Sequence, residues 1–161
     1  MRNCLVYGNE AVSGNGTGGG IYCQASGAVI ENCTIADNTA ATSAEGVYMT
    51  AGTLRNTIVL GPGEYDSENP PLISTGGAIA YCCSPSLTSG VDGNIAGIPA
   101  FKDRAAFNYT VRADSKTVDA GLNQDWMSGA TDLAGNPRIK RATVDIGCYE
   151  CVAAGLVILV R

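Results

Sequence analysis

The residue types that could do chemistry in this chain are few and unevenly placed. Seven cysteines stand at Cys4, Cys23, Cys33, Cys82, Cys83, Cys148 and Cys151, and there is no histidine. Without histidine, Ser-His-Asp and Cys-His catalysis are excluded, as are the ordinary His-containing zinc sites. Cys148-Tyr149-Glu150-Cys151 has C-x-x-C spacing, and together with Cys82-Cys83 it would offer four thiolates to zinc. Adjacent cysteines fit a tetrahedron poorly, and a redox role lacks a thioredoxin-like setting. An odd number of cysteines cannot all pair within one chain. Cys4 and Cys33 fall at equivalent points of a repeat, so they are expected to stack as small buried thiols. A disulfide between them is the weaker expectation, because bridge geometry is demanding.

Carboxylates could support two further chemistries. Glu64, Asp66 and Glu68 cluster between residues 64 and 71 in a loop-like stretch with two prolines. Calcium would need ligands at alternate positions and a closing bidentate Glu, which this stretch lacks, so it reads as a solvated acidic loop. Glycan hydrolysis would need two carboxylates about 5–10 Å apart across a groove. The groups near the repeats are Glu31, Asp37, Glu45 and Arg55, with no repeated Asp pair, and Lys102, Lys116 and Lys140 all lie later. No catalytic, cofactor-binding or metal residue is assigned, and no cofactor is implied. The net charge is −5 and basic residues form no cluster, so nucleic acid has no electrostatic footprint here.

The elements that would position these residues are repeats. Arg2-Asn3-Cys4-Leu5-Val6, Glu31-Asn32-Cys33-Thr34-Ile35 and Arg55-Asn56-Thr57-Ile58-Val59 share one pattern, with Asn-to-Asn steps of 29 and 24 residues. Gly20-Ile21-Tyr22 and Gly46-Val47-Tyr48 recur 26 residues apart. Self-similarity at this period signals a solenoid, whose repeats share a core none could bury alone. With 21 glycines, no long apolar helical stripe survives, and short strands are what remain. The fold class expected is all-β: a right-handed parallel β-helix of two to four coils with a loop-rich C-terminal cap. Ile21 should stack on Val47, Ile30 on Leu54, and Ile35 near Ile58 or Val59. Asn3, Asn32 and Asn56 should mark equivalent corners, where Asn tolerates left-handed backbone and stacked Asn side chains bond one another. Asn9 and Asn38 should mark the next corner.

Four stretches follow from this: coils over 1–63, an acidic loop and last coil over 64–100, a cap over 101–150, and an apolar tail over 151–161. The tail is too short to span a bilayer, which needs about 20 apolar residues. Met1 precedes a repeat motif with no capping element before it, so the chain is expected to be the C-terminal piece of a longer protein, its signal peptide upstream.

The last hundred residues carry ordered motifs: Asn94-Ile95, Pro99-Ala100-Phe101, Ser115-Lys116-Thr117-Val118-Asp119-Ala120-Gly121, Asp132-Leu133-Ala134-Gly135-Asn136-Pro137-Arg138 and Val144-Asp145-Ile146-Gly147-Cys148-Tyr149-Glu150. This region, with Tyr81-Cys82-Cys83-Ser84-Pro85, resembles the C-terminal end of the choice-of-anchor Q domain family of bacterial secreted or surface β-helix proteins. Lys116-Thr117 stands where that family has Pro-Ala, and Cys148 where it has Ala. The resemblance implies a secreted or cell-surface module, structural, adhesive or glycan-binding, whose partner would be an extracellular polysaccharide or cell-surface glycan. The alternative is a polysaccharide lyase or glycoside hydrolase of the parallel β-helix type. Taken as residues, the motifs are turn chemistry, with Arg138 near Asp145 and Glu150 and with Phe101, Phe107, Trp126, Ile146 and Tyr149 expected to face the last coil. The sequence sets no oligomeric state.

Overall fold

The computed structural model describes residues 1–152 apart from Ser13, Asn15 and Glu64. Glu64 of the acidic loop, and the apolar tail from Ala153 onward, lie outside the described residues. The fold is all-β, and helix among the described residues is confined to 3-10 turns at Val91–Gly93 and Asp125–Met127.

The strands are β1 (Leu5–Tyr7), β2 (Glu10–Ala11), β3 (Ile21–Cys23), β4 (Val29–Glu31), β5 (Thr34–Ala36), β6 (Thr39–Ala40), β7 (Val47–Met49), β8 (Thr53–Arg55), β9 (Ile58–Val59), β10 (Leu72–Ser74), β11 (Ala78–Ala80), β12 (Phe101–Asp103) and β13 (Asn108–Val111). They form three parallel sheets in the orders β1-β5-β9, β3-β7-β10 and β4-β8-β11, and β2 pairs with β6. Each strand from β1 to β11 pairs with the strand one repeat away, Leu5 with Thr34, Ile21 with Val47, Ile30 with Leu54 and Ile35 with Val59, whereas β12 and β13 form an antiparallel pair. Bridges from Ile58 to Cys83 and from Cys83 to Ile95 carry the first sheet past residue 63, where the clean repeats stop.

Side-chain alternation divides the apolar residues into two cores. Cys33, Ile35, Val59, Val47, Met49, Leu54 and Leu72 point inward to one cluster, with Cys4, Val6 and Ile21 beside it. Ala36, Ile58, Leu60 and Cys83 point outward from the β1-β5-β9 sheet to a second cluster, which Phe101, Tyr109, Val111 and Ile146 complete. All three residues of β5 are therefore buried, as expected of a parallel strand covered on both faces. Close packing explains one glycine in particular: a Cβ on Gly20 would lie 2.7 Å from Ile35 Cγ2 and 2.8 Å from Gly46 O.

The second cluster corrects one expectation. Residues 101–152 do not lie only against the last repeat; they run along the outer face of the β1-β5-β9 sheet, from Cys83 of its last level to its first level. Phe107 meets Tyr7 with ring centroids 5.6 Å apart, and the Arg2 guanidinium lies 4.8 Å from the Trp126 ring centroid. The C-terminal end of the sheets is closed instead by the loop over 84–97. Leu87 packs on the inner core, Tyr81 N donates to Asp92 O, and Asn94 bonds Cys82 N and Ile79 O. The physical reason is the apolar row that Ala36, Ile58 and Leu60 form on the outer face of that sheet, which the aromatic-rich segment removes from water.

Candidate functional site

The corner residues come first, because the rest of the polar architecture hangs on them. Asn3, Asn32 and Asn56 all have left-handed backbone, with φ of 50°, 50° and 48°, and Tyr81 takes the fourth corner at 52°. The residue after each corner bonds the carbonyl two positions back: Cys4 Sγ to Arg2 O at 3.0 Å, Cys33 Sγ to Glu31 O at 3.2 Å, Thr57 Oγ1 to Arg55 O at 2.8 Å and Cys82 Sγ to Ala80 O at 3.3 Å. Thiol and hydroxyl are interchangeable there as small donors, which is why Thr57 stands in a row of cysteines.

The asparagine side chains act differently from a simple coil-to-coil ladder. Each one holds the C-terminal segment. Asn3 Nδ2 donates to Thr131 O at 2.9 Å. Asn56 accepts from Leu122 N and donates to Leu122 O, both at 2.8 Å. For Asn32, one amide orientation accepts from Asn56 Nδ2 at 3.3 Å, and the opposite one accepts from Arg138 Nε at 3.3 Å. The second is the better assignment, since a buried guanidinium needs acceptors and Asn56 Nδ2 already has Leu122 O. The next corner does form a ladder, with Asn9 N and Nδ2 both donating to Asn38 Oδ1 at 3.0 and 2.9 Å.

Charged groups gather in three places. Glu31, fully buried, lies between Arg2 and Arg55 of the adjoining levels, with Arg55 Nε at 2.6 Å from Oε2 and Arg2 Nε on Oε1. Burial alone would raise its pKa, but the hydrogen bonds and charges of Arg55 and Arg2 together outweigh it and hold the carboxyl below its usual value. Asp37 receives Arg104 Nε at 3.1 and 3.2 Å and the Tyr109 hydroxyl at 2.7 Å, and Arg104 also reaches Gly61 O. That clasp ties the β12–β13 hairpin to the corner after β5. Burial, with Asp37 beside it, pushes the Tyr109 hydroxyl upward.

The third group is Arg138, wholly buried and 3.3 Å from Glu150 Oε1. Its Nη2 donates to the carbonyls of Asp145 and Gly147, so Asp145 meets it through the backbone and not through its carboxylate. The Asp145 carboxylate instead accepts from Asp119 N and Cys151 N, and Asp132 accepts from Ala134 N, Asn136 N and Glu150 N. Arg138 Nη1 has no partner among the described residues. Burial, and then the charge of Asp145, raises Glu150 to about 8 against the pull of Arg138.

What these groups can do chemically is narrow. Burial drives Cys33, Cys82 and Cys83 up to about 12 and Cys148 to about 11, so they stay thiols and are poor nucleophiles. All seven cysteines are free. Among the described residues no group of His, Cys, Asp and Glu is placed to hold a metal ion. In the acidic loop, Glu68 N bonds Asp66 Oδ1 at 2.8 Å in an exposed turn. Glu45 is the half-buried carboxylate without a hydrogen bond or ion pair among the described residues, and burial, with Asp66 adding to it, raises its pKa. No described helix is long and apolar enough to cross a membrane.

The Arg2-Glu31-Arg55 alternation went unread in the sequence, although it was visible as plus, minus, plus at the residue before each repeated Asn. The Asp37–Arg104 clasp had no such signal, since its partners are 67 residues apart. Comparisons with known proteins add no relative: no family model, curated protein or solved structure matches the chain.

Proposed function

We propose that the chain is a non-catalytic surface or secreted module, structural, adhesive or glycan-binding, built on a right-handed parallel β-helix of two to four coils. The ordered C-terminal motifs support placing it with bacterial choice-of-anchor Q proteins, and pairing steps of 24–29 residues support the β-helix. One observation supports the functional reading: apart from Glu45, the buried and half-buried charged groups are engaged within the chain, three sets of them as ion pairs. Arg2, Glu31 and Arg55 join successive levels, Asp37 and Arg104 join the hairpin to the sheet, and Arg138 and Glu150 lie inside the C-terminal segment. Such pairs hold a scaffold, and carboxylates engaged in them are not free to act on a glycan. The test is to incubate the purified chain with pectin, alginate and other acidic glycans and to probe a glycan array in parallel. The reading expects no chain cleavage, and product formation would overturn it.

The second reading, a polysaccharide lyase or glycoside hydrolase, draws on Glu45, whose raised pKa and free carboxylate suit a general acid. It requires cleavage that Glu45→Gln abolishes while the unfolding midpoint stays unchanged.

A further inference from the structure

Asn-x-Thr triplets stand at Asn15-Gly16-Thr17, Asn32-Cys33-Thr34 and Asn108-Tyr109-Thr110. That spacing is the acceptor signature for attaching sugar to an asparagine amide, which asks for an exposed Asn with a hydroxyl two residues on. Asn15 lies outside the described residues. Asn32 is wholly buried, Thr34 is only 1% exposed, and the Asn32 amide is engaged by the buried Arg138. Asn108 stands differently.

Strand alternation presents it. Asn108 opens β13, and the middle residue of its triplet, Tyr109, turns inward, edge-on to Phe101 and bonded to Asp37. Residues two apart on a strand share a face, so Asn108 and Thr110 both turn outward. Asn108 is exposed, and so are Lys102, Asp103, Ala105, Ala106 and Phe107 leading up to it. The clasp of Arg104 on Asp37 holds the other side of the turn, so the acceptor is carried on anchored chain.

The two outward side chains are already joined. Thr110 Oγ1 and Thr110 N both donate to Asn108 Oδ1, at 2.6 and 3.2 Å. A backbone N–H can only donate, so the atom it meets is the amide oxygen, and the orientation of this amide is settled. Nδ2 is left without a hydrogen bond among the described residues and faces solvent. Two donors on the oxygen polarise the amide and make the Nδ2 protons easier to remove.

We propose that Asn108 is a site of N-linked glycosylation. The sugar donor is a glycosyl phosphate carried by a nucleotide or a polyprenol. In the transfer Nδ2 attacks the anomeric carbon, a C–N bond forms, and the bond from that carbon to the phosphate oxygen breaks. The phosphate leaves with the electron pair, and one Nδ2 proton passes to a base of the transferase. Occupancy in the cell rests on the secreted or surface reading above; the acceptor itself rests on the geometry of β13.

The test treats the folded full chain in two arms. One supplies a soluble N-glucosyltransferase and UDP-glucose; the other supplies an oligosaccharyltransferase and a polyprenyl-diphosphate oligosaccharide. Trypsin, cutting after Arg104 and Arg112, then releases residues 105–112, in which Asn108 is the sole Asn, for mass spectrometry. That peptide should gain one glycan in at least one arm, and the glycan gained names the donor. Asn108→Gln should abolish the gain. Thr110→Val should slow it by about tenfold, the worth of one hydrogen bond in the transition state, and Thr110→Ser should restore it. Unchanged unfolding midpoints show that the variants are folded. Residues 105–112 left unmodified in both arms would overturn the proposal while leaving the secreted reading untouched. Equal rates for Thr110→Val and the parent chain would overturn it too.

Discussion

Asn32 shows how one side chain can hold two requirements at once. Its backbone sits at φ 50°, which Asn tolerates better than most residues, and its amide meets the buried Arg138. Replacing it with Leu keeps the size but strands a guanidinium that already has one donor unpaired. Asn32→Leu should lower stability by about 1–3 kcal/mol, measured by urea unfolding. Glu31 is a comparable case, since its full burial is tolerable only with an arginine on each oxygen. Both arginines are partly exposed and screened, so Glu31→Gln should cost about 1–2 kcal/mol, less than an ion pair sealed from water. An unfolding midpoint unchanged in Glu31→Gln would show that the ladder is ornamental.

At the scale of elements, the decisive contact is between the β1-β5-β9 sheet and residues 101–152. Gly147 is packed tightly in it: its φ is +113°, its N donates to Asn56 O at 2.8 Å, and a Cβ would lie 2.8 Å from Ile58 Cδ1. Gly147→Ala should cost about 1–3 kcal/mol from backbone strain and the displaced isoleucine. Because it loosens the segment that buries Cys83 and Cys148, it should also speed their reaction with Ellman's reagent, followed by absorbance. Deleting 101–161 exposes Ala36, Ile58 and Leu60 together, and the truncated chain should aggregate or self-associate on size exclusion. A clean monomer would make the segment an appendage.

For the whole molecule, the buried carboxylates set the pH response. Glu150 has a folded pKa near 8, above its ordinary 4.5, so the folded state holds a proton that the unfolded state loses. That contribution is complete below the unfolded value and disappears as pH rises from about 4.5 to about 8. Asp145 and Glu45 are shifted the same way. Glu31 is shifted downward, so its contribution is present above the unfolded value and is lost as pH falls through its lowered pKa. Stability should therefore peak in mildly acidic solution and fall by on the order of a few kcal/mol toward pH 8. Glu150→Gln should flatten the alkaline side of the profile. A thermal melting series across pH that shows no decline between pH 5 and 8 would contradict this.

The local grammar was legible in the sequence alone. The steps between Asn3, Asn32 and Asn56 set the period, the Ile21–Val47 and Ile30–Leu54 pairs followed from it, and Gly and Asn marked the corners. These properties repeat along the chain, so they can be read from spacing. Where residues 101–152 dock was not legible, because that depends on which apolar face is left uncovered once the strands have stacked. Phe101 and Ile146 could have closed an end or covered a side, and only the outward row of Ala36, Ile58 and Leu60 decided between them. The same holds for Arg104 and Asp37, and for the asparagines: their backbone role is local and repeats, while their side-chain partners at Thr131, Arg138 and Leu122 come from a segment that does not repeat. A sequence determines what recurs along itself; contacts between a repeating surface and a unique segment exist only once both have folded.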